Sequence, residues 1–259
     1  MLDTINDVIT ALNKVAKRFY SLPDFCFHDG EVVGGENLKP LELRFMHEFS
    51  TQFSRIYEEK SAYKKLDYDF EVPKRFMWSE KANIAIRETY ERLDRKFHSQ
   101  VNMQTYFTTI PDFLVHAGQH DIQTENQKLI IEAKLNPNAP KGEVFKDIFH
   151  TFIYSNEYNF QCSIMLLVHF DKERWIKLLS DYINDKYYSG VLENTKRIFV
   201  IFKNSYDAEV ECFSIYDLLN YPICPKCNEK MVLRTARQGF NAGNKFWGCS
   251  TYPKCNGTI

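Results

Sequence analysis

Residues Ile110–Leu135 read IPDFLVHAGQHDIQTENQKLIIEAKL, and the rest of the chain takes its place around them. Two extended segments are predicted, Ile110–Val115 and Lys128–Leu135, joined by a polar loop. Pro111-Asp112 opens the first, and the triplet Glu132-Ala133-Lys134 lies on the second. Side chains two apart on a strand share a face, so Glu132 and Lys134 point the same way. Leu129, Ile130, Ile131 and Ala133 surround them. A carboxylate and an ammonium in so apolar a strand cost free energy unless they are paired or hold a metal. The plain alternative is a surface hairpin with one salt bridge.

Outward from this pair the apolar spacing alternates between the helical and the extended period. Residues 1–20 carry a helical stripe of Ile5, Val8, Ile9, Leu12, Val15 and Phe19. Residues 21–40, rich in Pro and Gly, read as a loop with a short strand at Glu31–Val33. A second helix is predicted over Leu41–Glu59, its acids Glu42 and Glu48 on a solvated face. Ser79 has the chemistry of an N-cap for a third helix running to Phe97, and 101–108 reads as a strand. After the central pair come a helix over Gly142–Tyr158, an apolar strand at Ser163–Phe170 and a helix over Lys172–Tyr187. Strands at Arg197–Phe202 and Glu209–Phe213 and a short turn at Ile215–Leu219 end the series. Pattern alone gives an α/β chain, with composition shifting at Tyr221-Pro222. A right-handed crossover is expected between Glu132 and Ser163.

The Pro-Asp pair, the variable loop and Glu-x-Lys, set in the order helix, three strands, helix, strand, resemble the PD-(D/E)xK nuclease superfamily. That resemblance implies a restriction-endonuclease-like core, a central mixed sheet flanked by helices. It also implies Mg²⁺ (or Mn²⁺) held by Asp112 and Glu132, with Lys134 placing or activating the attacking water. Mg²⁺ favours one or two carboxylates and keeps several waters. It lowers the pKa of a bound water and offsets phosphate charge. In the following helix, Asp147, His150, Thr151 and Tyr154 fall at i, i+3, i+4 and i+7, opposite a stripe of Phe145, Ile148, Phe149 and Phe152. This face resembles the Gln-x3-Tyr helix of RecB-like nucleases, and more closely that of McrC-type nuclease subunits. His150 stands where those have Gln, and an imidazole's charge is expected to vary with pH. The family's upstream acid is expected at Glu80, with Glu88 and Glu48 as rivals. The resemblance spans residues 80–170.

The chain has 259 residues, 44% of them hydrophobic, with 21 Phe and 15 Tyr, which argues against disorder. Its formal net charge of −1 does not announce a nucleic-acid partner, so any basic surface must be local. No stretch has the pattern of a membrane span or signal peptide, and a cytoplasmic location is expected. Seven cysteines suit a reducing compartment. Cys224, Cys227, Cys249 and Cys255 form two close pairs around a basic loop, as one tetrahedral Zn²⁺ requires. Cys26, Cys162 and Cys212 read as small buried hydrophobes.

The string from Cys224 to Cys255, with Met231, Arg234, Gly239, Phe246-Trp247-Gly248-Cys249-Ser250 and Tyr252-Pro253, resembles the C-terminal zinc ribbons of bacterial type I topoisomerases. Such ribbons bind single-stranded DNA, stacking bases on aromatics and tracking phosphates with cations. The resemblance assigns stacking to Phe240, Phe246, Trp247 and Tyr252, and cationic roles to Lys226, Arg234, Arg237, Lys245 and Lys254. In the bland reading the metal merely replaces a core too small to form. The organisation expected is an N-terminal helical region (1–79), a nuclease domain (80–220) and a zinc ribbon (221–259).

The function these resemblances imply is Mg²⁺-dependent DNA endonuclease activity with a DNA-binding tail, in prokaryotic restriction or phage defence. That setting leaves room for a partner defence protein and for a homodimer. A catalytically idle DNA-binding protein of the same fold and an RNase are the alternatives.

Overall fold

A computed structural model describes residues 1–39, 41–70, 74–75, 84–100, 108–118, 122–219, 222–229, 231–236, 238–239 and 245–259. Twelve strands and six α-helices are assigned among them. The chain begins with α1 (Leu2–Lys14), β1 (Leu22–His28), β2 (Glu31–Lys39), α2 (Glu42–Glu59), β3 (Asp67–Asp69), β4 (Lys74–Arg75) and α3 (Ile84–Phe97). It continues with β5 (Thr108–Thr109), β6 (Phe113–His116), β7 (Gln127–Lys134), α4 (Lys141–Asn156), β8 (Ser163–Val168) and α5 (Lys172–Asn184). Then come β9 (Ile198–Lys203), β10 (Glu211–Ser214), α6 (Ile215–Leu219), β11 (Met231–Thr235) and β12 (Lys245–Cys249).

A six-stranded mixed sheet runs in the order β10-β9-β8-β7-β6-β3. β7, β8 and β9 are parallel, while β6, β3 and β10 join antiparallel. Its central strands are buried on both faces, and the side-chain alternation sorts them between two helical layers. Leu114, Ile130, Met165, Leu167, Val200 and Phe202 meet α3, α4 and α5. Phe113, Leu129, Ile131, Ala133, Ile164, Leu166 and Ile201 meet α1 and α2. The N-terminal helices therefore share a core with the sheet.

Most predicted elements appear, and two departures have local causes. Within the loop predicted over 21–40, residues 22–39 form an antiparallel hairpin, β1 with β2. Its turn is Asp29-Gly30, both at positive φ (50° and 83°), the dipeptide that closes tight hairpins. The sheet's edge beside β6 is β3, from before α3, whereas the sequence reading expected a strand at 101–108. Residues 101–107 lie outside the described set, as do Ser79 and Glu80. Thr108 and Thr109 pair instead with β4. No helix among the described residues is long and apolar enough to cross a membrane.

Candidate active site and cysteine centre

Glu132 and Lys134 share the face of β7 that carries Ile130, the face covered by α4. α4 is apolar on its α3/α5 side, while Asp147, Thr151 and Tyr154 are buried too. The helix is enclosed on both sides, and its polar stripe meets the ionic pair of β7. The Tyr154 hydroxyl donates to Glu132 Oε1 at 2.5 Å. His150 Nδ1 lies 3.6 Å from the same oxygen, beyond hydrogen-bond length. Lys134 Nζ sits 3.1 Å from Asp147 Oδ2, 3.8 Å from Glu143 Oε2 and 3.9 Å from Glu42 Oε1. Lys146 closes the other side, 3.3 Å from Asp147 Oδ1.

Two acids are fixed by the amides of β7. Just past the β6–β7 ladder, Asp112 Oδ2 takes the place of a strand carbonyl and accepts the Ala133 N–H at 2.6 Å. Two residues on, Glu42 Oε2 accepts the Leu135 N–H at 3.1 Å. Asp112 is half-buried, as is Glu42. The site thus gathers residues from α2, the start of β6, the end of β7 and α4.

The electrostatics follow from crowding. Burial, then the charges of Glu132 and Glu42, push the Asp112 carboxyl well above the usual carboxylate range. Burial and Asp147 push Glu132 up to about 8. Glu42 is also raised, by burial. Burial alone would lower the Lys134 ammonium, but Asp147, Glu42 and Glu143 overcome it and hold the group charged. Asp147 would rise on burial, yet Lys146, Lys134 and His150 bring it below its ordinary value. His150 falls to about 3, by burial and Lys146. Its imidazole is therefore neutral around pH 7.

The fold brings Asp112, Glu132, Lys134, His150 and Tyr154 together; Glu80 lies outside the described residues. Of its rivals, Glu88 is exposed on α3, and Glu48 accepts a hydrogen bond from Gln52 at 2.7 Å. The acid that reaches the site is Glu42, together with Asp147. Asp147 was legible as part of the polar face of its helix. Glu42 opens an amphipathic helix and carries no local mark.

The cysteine centre is built differently. β11 and β12 pair antiparallel, Met231 opposite Cys249 and Arg234 opposite Phe246. Cys224 and Cys227 come from the turn before β11, and Cys249 ends β12. The four Sγ atoms lie within 4.8 Å of one another, with Cys224–Cys255 at 3.7 Å and Cys227–Cys249 at 3.4 Å. A tetrahedron with bonds of about 2.3 Å has edges of about 3.8 Å, so the donor set fits Zn²⁺. Gly257 makes room for it, since a Cβ there would stand 2.3 Å from Cys224 Sγ. Among the described residues, this is the one group of three or more His, Cys, Asp or Glu ligands so close together. The β7 carboxylates do not fall within that spacing of one another.

Strand alternation divides the ribbon's aromatics. Trp247 is half-buried against Met231, Cys224 and Cys249. On the other face, the Arg234 stem crosses Gly248 beside the Phe246 ring, and its guanidinium lies 5.7 Å from the Tyr252 ring centroid. Tyr252 is 63% exposed. Arg237 and Phe240 lie outside the described residues, as does the side chain of Lys245.

Residues 222–259 match the family described as topoisomerase DNA binding C4 zinc finger. No curated protein and no solved structure matches the chain. The segment is a topoisomerase-type C4 zinc ribbon, with zinc as its structural metal.

Proposed function

We propose that the protein is a divalent-metal-dependent DNA endonuclease of the restriction-endonuclease-like class, tethered to DNA by its zinc ribbon, and that it acts in prokaryotic restriction or phage defence. The observation that carries this reading is the convergence of Asp112, Glu132 and Glu42 around β7 beside a charged Lys134. Burial and the charges of Glu132 and Glu42 raise the Asp112 carboxyl, and such a group matches a hard dication in charge and donor type. Asp112 and Glu132 would hold Mg²⁺ or Mn²⁺, with Glu42 in the role expected of Glu80. When bound, the ion supplies a water of lowered pKa and charge to offset the phosphate. The chain's own residues do the rest. The Ala133 and Leu135 amides aim the Asp112 and Glu42 carboxylates. Tyr154 fixes the Glu132 rotamer, and Asp147 holds the Lys134 ammonium at the edge of the cluster, where it can orient a nucleophile or a phosphate oxygen. Neutral His150 offers a lone pair or an N–H without adding charge. For the tail, the match to a family of DNA-binding zinc fingers supports DNA contact, with Arg234, Phe246 and Tyr252 gathered on the face of the hairpin away from Trp247.

The idle-protein alternative draws on one observation, the 3.1 Å lock between Lys134 and Asp147, which satisfies the lysine without substrate. Incubating supercoiled plasmid and labelled RNA with the protein, with Mg²⁺, Mn²⁺ or EDTA, separates the readings. Metal-dependent nicking lost in Asp112→Ala supports the nuclease. No cleavage under any metal supports the idle protein, and cleavage of RNA alone supports the RNase.

A further inference from the structure

The sequence has no basic run that would hold a polynucleotide on the α/β part, but folding assembles cations from distant segments. Arg92, Arg95 and Lys96 from the last turns of α3 line a cleft of about 420 Å³ with Asp185 and Tyr187, just after α5. Arg92 is part of the cleft wall. Its guanidinium donates to the Asp185 and Lys186 carbonyls at 2.6 and 3.1 Å and lies 4.4 Å from the Tyr187 ring centroid. Lys96 is half engaged, 3.1 Å from Asp185 Oδ2. Arg95 differs: its Nε donates to the Glu91 carbonyl, and its two terminal nitrogens have no hydrogen bond or ion pair among the described residues. Among the residues that line it, three cations stand against one carboxylate, and Arg95 is exposed.

The end of α3 that carries the cleft packs on the first turn of α4. Phe97, one residue after Lys96, packs so closely on Gly142 in the first turn of α4 that a Cβ there would be 2.7 Å from its own. Gln100 accepts the Gly142 N–H at 2.9 Å. The next residue, Glu143, is the one 3.8 Å from Lys134 Nζ. Residues 92–96 thus lie within about 8 Å of Phe97 along the α3 axis, with Arg95 about 200° round the helix from it. We propose that this cleft is a docking site for the phosphodiester backbone of DNA, in which Arg95 and Lys96 hold the strand as it passes toward the β7 site. The inference rests on the nuclease reading for the direction of the strand, and on the cleft alone for binding. Guanidinium forks suit phosphate oxygens, and the Arg95 terminal nitrogens have no hydrogen bond among the described residues.

The test measures fluorescence anisotropy of a labelled duplex with the full chain across a salt series. It compares wild type with Arg95→Gln, Arg95→Glu and the control Lys65→Glu, which reverses an exposed charge before β3. Each lost phosphate contact lowers the salt slope by about 0.9 and the affinity about fivefold near 0.15 M salt. Arg95→Gln should show that loss, Arg95→Glu more, and Lys65→Glu neither, with thermal unfolding unchanged in all three. Arg95 variants that match wild type in affinity and slope, or change no more than Lys65→Glu, overturn the proposal. Wild-type protein that binds but does not cut removes the nuclease reading and leaves this comparison standing.

Discussion

The carboxylate site and the zinc ribbon are both clusters of would-be metal ligands, yet they are assembled on opposite plans. In the ribbon, two ligands sit three residues apart, two sit six apart, and a single hairpin brings the pairs together. At the β7 site the acids come from residues 42, 112, 132 and 147, and only a six-stranded sheet with helices on both faces makes them neighbours. The ribbon depends on its metal for a core, since among its described residues the buried cluster is Met231 with Cys224 and Cys249. The β7 site is supported on both sides by large cores. The metal should therefore be a matter of folding in one region and of chemistry in the other.

The widest separation should come from removing the zinc ligands. Structural zinc in finger peptides is worth roughly 10–16 kcal/mol, more than a segment of this size gains by packing. Cys224→Ser with Cys227→Ser should abolish zinc binding and unfold 222–259 while the thermal transition of the α/β part stays put. Elemental analysis together with calorimetric scans would check this, and a coincident collapse of both parts would break the contrast.

At the β7 site the corresponding change removes an ion pair. Lys134→Ala leaves Asp147, Glu143 and Glu42 facing one another, and Asp147 is 2% exposed. Stranding a buried charge costs about 3–5 kcal/mol. Urea unfolding should register that loss, and pairing Lys134→Met with Asp147→Leu should recover much of it. A Lys134→Ala protein as stable as wild type would mean that water or Lys146 carries the load.

Within the ribbon, the two aromatic faces should part company. Tyr252→Ala should weaken single-strand binding by about 1–3 kcal/mol, the worth of one stacked base, with little effect on zinc retention. Trp247→Ala should act mainly on the fold, because that ring packs on the cysteine cluster. Anisotropy and zinc release measured on the same samples distinguish the two, and equal effects from both would dissolve the distinction.

The smallest expected effect is a pH slope. Glu132 is raised to about 8 in the folded chain. A raised folded-state pKa contributes stability that is complete below the unfolded value and is lost as pH rises through the folded one. In chelator, stability should thus decline as pH climbs from the ordinary carboxylate range past 8. Glu132→Gln should flatten the decline, and Mg²⁺ should offset it. Melting curves across that range are the check, and a rising profile would reverse the assignment.

How far the sequence could be read follows the same division. The cysteine centre was legible to the residue because ligand spacing is local. The strands β7, β8 and β9 were legible because burial on both faces leaves continuous apolar runs. Asp112, Glu132 and Lys134 stood out as charges in that setting. Glu42 did not, since an acid in the first turn of an amphipathic helix is ordinary until the fold sets it against Leu135. In the hairpin of 22–39 the strand at Glu31–Val33 was legible as the start of β2, whereas β1 was not, because the Pro and Gly around it read as loop although Asp29-Gly30 announces the turn. The edge strand Asp67–Asp69 has too few residues to show a period.

The central claim is that the β7 carboxylates form a second, chemical metal site distinct from the structural zinc. Calorimetric titration of Mn²⁺ into the zinc-loaded full chain tests it most directly, with Asp112→Ala and Glu42→Gln alongside. The account predicts Mn²⁺ binding that releases protons at neutral pH, is lost in Asp112→Ala and weakened in Glu42→Gln, while zinc content stays constant. Mn²⁺ binding that is absent from wild type, or the same in Asp112→Ala, would contradict it.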